Sequence, residues 1–74
     1  MTAPTTPARR AALRRLLEDC EADWLTHWTM IGRDEVKRLR FDGLIECDPE
    51  EPECYTLTPA GLEAARAERD APSR

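Results

Sequence analysis

Aromatic bulk is scarce in this 74-residue chain, which has two tryptophans, one tyrosine and one phenylalanine. A core with so little ring area must lean on its leucines and on Trp24 and Trp28. Histidine occurs once, as His27, and no glycine-rich phosphate loop, nucleophile motif or recognisably spaced pair of acids accompanies it. Nothing remains from which to assemble an active site, so neither catalysis nor a cofactor is expected. No apolar run approaches the roughly 20 residues of a membrane span, and the first residues carry no apolar signal-peptide core. A cytoplasmic location without a membrane partner is the expectation. The cysteines Cys20, Cys47 and Cys54 are odd in number and not closely paired, unlike the even framework of a small secreted domain.

A basic excess is missing as well. Residues 1–45 carry eight Arg/Lys against seven Asp/Glu, whereas residues 46–74 carry three against eight. The net charge of −4 is therefore a balanced front and an acidic back. A domain that binds nucleic acid tightly by itself is usually basic, since neutralised phosphates supply most of the affinity.

What is present is the composition of one small globular domain, 41% hydrophobic and 35% charged. Residues 1–5 have no large apolar side chain after Met1 and are expected to be a flexible leader. Thr6 and Pro7 give an N-cap and a first-turn proline. The stripe Leu13, Leu16, Leu17, Cys20 and Trp24 then predicts a helix from about Pro7 to Ala22 that buries one face. Arg14 with Glu18 and Arg15 with Asp19 are spaced to pair across one turn. Trp24 to Gly32 is too short for a long helix, so one or two helical turns and a bend are expected, with both tryptophans in the core. Arg33 to Asp42 predicts a helix with Val36 and Leu39 inward, ended by Gly43. Residues 44–47 and 54–57 are strand candidates flanking Asp48 to Glu53, a hairpin with an acidic tip. Thr58 and Pro59 start a last helix to about Arg69 that can bury Leu62 and Ala65. Residues 70–74 are expected to be a flexible tail.

Two segments resemble a known family. The run from Val36 to Glu46, Val-Lys-Arg-Leu-Arg-Phe-Asp-Gly-Leu-Ile-Glu, looks like the end of a recognition helix leading into a first wing strand. The run from Tyr55 to Leu62, Tyr-Thr-Leu-Thr-Pro-Ala-Gly-Leu, looks like the second wing strand entering a closing helix. Both are similar to winged helix-turn-helix domains of MarR-like and PadR-like bacterial or phage regulators. The resemblance implies an α+β, mainly helical fold over residues 6–69: three helices, a two-stranded wing hairpin and a C-terminal helix. The core is then expected around Leu13, Leu16, Leu17, Trp24, Val36, Leu39, Leu44, Tyr55 and Leu57. Two departures stand out. The chain before Gly32 is shorter than such regulators use for a strand and a full second helix. The tip Asp48-Pro49-Glu50-Glu51-Pro52-Glu53 carries four acids where a family wing usually brings Arg or Lys to the DNA backbone.

The functional candidates follow from this frame. Arg33, Lys37, Arg38 and Arg40 would contact double-stranded DNA if the recognition helix enters a major groove. The alternative for them is a solvated helix face. Arg9, Arg10, Arg14 and Arg15 form either a backbone-binding patch or a merely soluble face. Cys20, His27, Cys47 and Cys54 make a zinc set by count but not by spacing, so no metal is expected; a Cys47–Cys54 disulfide across the hairpin is the other option. Phe41 points away from Val36 and Leu39, so it either closes over the wing or belongs to an interface. The expected function is a small DNA-binding transcriptional regulator, acting as a homodimer. The alternative is a protein-binding adaptor or inhibitor that docks its acidic tip, with Glu50, Glu51 and Glu53, on a basic protein partner.

Overall fold

The computed structural model describes residues 6–70. Thr6 accepts a hydrogen bond from the Arg9 backbone N–H on its Oγ1 at 3.1 Å, and Pro7 occupies the first helical position of α1 (Pro7–Glu21). Leu13, Leu16 and Leu17 are buried on its inner face together with Ala12. The helix ends in a tight reversal: Asp23 takes a left-handed φ of 61°, its N–H donates to the Cys20 carbonyl, and the Trp24 N–H donates to the Asp19 carbonyl at 2.7 Å.

That reversal corrects the expected core. Trp24 is 68% exposed, because the change of chain direction at Asp23 takes it off the helical stripe to which its spacing assigned it. Trp28 is half-buried and packs against the core rim. The buried core instead includes Ile45, Leu57 and Ala65.

After the reversal come a two-residue strand, β1 (Thr26–His27), and a 3₁₀ turn, Trp28–Met30. Gly32, at φ 103°, then turns the chain into α2 (Arg33–Phe41), whose Val36 and Leu39 are buried as their spacing predicts. α2 ends by the same geometry as α1. Gly43 supplies the left-handed residue at φ 73°, and the Leu44 N–H donates to the Leu39 carbonyl at 2.9 Å.

The strands β2 (Ile45–Cys47) and β3 (Cys54–Leu57) form the expected hairpin. β1 adds to it, pairing Thr26 with Tyr55 and His27 with Cys54, so the sheet is three-stranded and antiparallel in the order β1-β3-β2. Cys47 lies opposite Tyr55. Because successive strand residues face opposite sides, Cys47 shares the core-facing side with Tyr55 and Cys54 faces away. All three cysteines are free thiols, and the expected disulfide option is excluded by this register.

The last helix, α3 (Pro59–Asp70), is docked through its first turn. The Thr58 hydroxyl accepts from the Gly61 N–H at 3.0 Å and donates to the Gly43 carbonyl at 2.6 Å, while the Thr58 N–H donates to the Leu44 carbonyl. Buried Ala65 then lets α3 lie close along α1, and Arg69 pairs with Glu21 at 3.0 Å. Among the described residues the architecture is a mostly helical α+β fold with three helices and one small sheet. α3 takes in Asp70, while the expected leader (1–5) and the rest of the expected tail (71–74) lie outside the described residues.

Candidate functional site

Helical spacing of 100° per residue places Arg33, Lys37 and Arg40 within about 60° of one another on α2. All three are exposed. Two of them are held. The Arg33 guanidinium carbon lies 5.2 Å from the centroid of the Trp28 ring, and that of Arg40 lies 5.8 Å from the Tyr55 ring. A cation over an aromatic face at an exposed site gains about 0.5–1 kcal/mol, and the ring also restricts where the guanidinium can swing. Lys37 makes no ion pair among the described residues. These residues line an open cleft of about 400 Å³ between α2, the 3₁₀ turn and β3.

One carboxylate, Glu53, also lines the cleft. Its Oε2 lies 3.3 Å from His27 Nε2, and the Trp28 N–H donates to its backbone carbonyl at 2.9 Å, so the hairpin base is tied to the 3₁₀ turn. The acidic tip beyond it is a formed turn. Asp48 Oδ2 accepts from the backbone N–H groups of Glu50 and Glu51, both at 3.0 Å. Partial burial, then the nearby carboxylates of Glu51, Glu53 and Asp48, push the Cys54 thiol above its usual range.

Arg38 stands apart from the other three expected DNA contacts. It lies on the far flank of α2, where its Nη1 is 3.4 Å from Glu35 Oε1. Glu35 is buried, which its place in the charged run Arg33-Asp34-Glu35 did not suggest. Phe41, on the same flank, is 92% exposed and does not close over the hairpin. The first-helix arginines divide likewise. Arg9 pairs with Asp42 and lies 3.7 Å from Glu35; Arg15 pairs with Asp19 at 3.2 Å. Arg14 does not reach Glu18 as expected, and neither it nor Arg10 makes an ion pair among the described residues.

Sequence reasoning missed two features of this region. Trp28 and Tyr55 are platforms for arginines, and only the tertiary fold brings them to α2. Asp19 is buried, accepting from Arg15 and from the Thr26 hydroxyl at 2.7 Å. Cys20, His27, Cys47 and Cys54 are dispersed, and among the described residues no three potential metal ligands gather. No described helix is long and apolar enough to cross a membrane. Comparison of the chain with protein-family models, curated proteins and solved structures finds no match.

Proposed function

We propose that this chain is a winged helix-turn-helix domain that binds double-stranded DNA as a transcriptional regulator, with α2 as its recognition helix. The observation that carries this reading is the alignment of Arg33, Lys37 and Arg40 on one exposed face, two of them steadied by rings. Guanidinium groups held in place suit phosphate oxygens, whose contacts set register. Lys37, unpaired between them, has donors to spare for a base edge. The element order supports the same reading: the 3₁₀ turn stands where such a domain carries its second helix, and β2–β3 where it carries its wing.

The test is a fluorescence-anisotropy titration of a mixed-sequence duplex at roughly 50 and 200 mM salt. Two phosphate contacts, from Arg33 and Arg40, give a log–log slope of about −1.8, so binding weakens about 12-fold between those conditions. Arg33→Ala and Arg40→Ala each reduce the slope by about 1. Absence of binding at the lower salt overturns the proposal.

The formed acidic tip favours a second reading, an adaptor that docks Glu50, Glu51 and Glu53 on a basic protein surface. Rim charges mainly steer encounter, so neutralising these three would slow association with such a partner. The same change has the opposite effect on DNA binding.

A further inference from the structure

Glu53 is the one acid lining a cleft whose other charged residues are Arg33, Lys37 and Arg40. Its place there is fixed twice. The Trp28 N–H holds its backbone carbonyl at 2.9 Å, and the same Trp28 ring lies under Arg33. The Thr29 N–H donates to His27 Nδ1 at 3.2 Å, which leaves the proton of a neutral imidazole on Nε2, facing Glu53 Oε2 at 3.3 Å. With Oε2 turned to His27, Oε1 is left to accept from an incoming group, and the side chain is 74% exposed. Arg33 and Arg40 stand about 10.5 Å apart along the α2 axis, close to the roughly 12 Å width of a major groove. Guanidinium groups at its two rims put Lys37, which lies between them, over the base edges.

We propose, resting on the reading of α2 as a DNA-binding helix, that Lys37 and Glu53 together read one G·C base pair through its major-groove edge. Lys37 donates to guanine N7 and O6, and Glu53 accepts from the cytosine N4 amino group. Lysine only donates and a carboxylate only accepts. A G·C pair presents two acceptors and then a donor across the groove, whereas an A·T pair presents an acceptor, a donor and an acceptor. A cation beside an anion matches the first order. It fails on the second, where the adenine amino group meets Lys37 and thymine O4 meets Glu53. There the carboxylate only repels, so the acid in the cleft selects among sequences and lowers general affinity.

Anisotropy titrations at about 50 mM salt, with three duplexes of equal length, test the assignment. The duplexes are alternating G·C, alternating A·T and alternating I·C, in which inosine keeps the major-groove edge of guanine and lacks only its minor-groove amino group. The wild type is expected to bind the G·C and I·C duplexes about tenfold more tightly than the A·T duplex. Lys37→Ala should weaken binding to all three and remove the preference. Glu53→Ala should also remove the preference, yet tighten binding to the A·T duplex; loss of a merely structural contact would weaken all three. Circular dichroism checks that both variants are folded. Equal binding of the wild type to the G·C and A·T duplexes, or I·C binding that follows A·T, overturns the proposal and leaves α2 as a DNA-binding element. Absence of binding to any duplex overturns both.

Discussion

Gly61 lies at the third position of α3, and helix propensity alone would favour alanine there by about 1 kcal/mol. The packing reverses that preference. A Cβ on Gly61 would overlap the Leu44 carbonyl oxygen and stand 2.7 Å from the Leu44 carbonyl carbon, both backbone atoms that no rotamer change can move. Gly61→Ala should therefore cost about 1–3 kcal/mol, lowering the thermal midpoint by about 5–20 °C in a calorimetric scan. A raised midpoint would show that α3 does not approach the Leu44 backbone so closely. Cys54 offers a second single-residue test. With its thiol held above the usual range, its alkylation rate should rise only at higher pH than for a free cysteine, and Glu51→Gln should shift that profile toward lower pH. At this scale the sequence showed which residues point inward where spacing alone decides, as for Val36 and Leu39. It did not show that Asp19 and Glu35 are buried, because a charged residue goes inside only when tertiary partners meet it there.

Among the elements, those with chemical punctuation were legible. Thr-Pro begins both α1 and α3, and Gly43 ends α2; in each case the boundary follows from a hydroxyl that caps or a glycine that permits positive φ. α1 ends by the same reversal without glycine, using Asp23, and there the reading ran on and misplaced Trp24. β1 was invisible because two residues show no alternation. Its existence depends on pairing with β3 and on the bond from Thr26 to Asp19, which pins it to α1. Thr26 is 1% exposed and Val has its shape, so Thr26→Val removes the bond without leaving a cavity. The buried Asp19 oxygen then loses a donor, at a cost of about 1–3 kcal/mol. A lowered urea midpoint with an unchanged slope would show it, and an unmoved midpoint would mean that strand pairing alone holds β1. The basic face of α2 was legible in part. Helical phase alone sets Arg38 apart from Lys37 by 100°, whereas the aromatic platforms depend on how three elements meet.

The whole molecule places opposite charges side by side. The acidic hairpin tip reaches the cleft lined by Arg33, Lys37 and Arg40 through Glu53, which belongs to both. For a phosphate backbone in that cleft, the tip is a fixed source of repulsion. Charges about 10 Å apart in water interact by about 0.4 kcal/mol, and salt screens much of that at physiological strength. Replacing Glu50, Glu51 and Glu53 together by Gln should thus tighten binding to a mixed-sequence duplex about two- to tenfold at low salt. The gain should fade as salt rises. Lys37→Ala should weaken binding in both backgrounds, because it removes an attraction the tip does not supply. If the tip is instead the docking element of an adaptor, the triple variant loses association rate for its basic protein partner, while any residual affinity for DNA stays low. The one variant therefore separates the two readings: it gains affinity for duplex under the first and loses association with a protein partner under the second. Tighter DNA binding by the triple Gln variant, lost again when Lys37→Ala is added, identifies α2 as the binding element; a triple variant that binds duplex no better than the wild type removes the tip from any account of DNA binding.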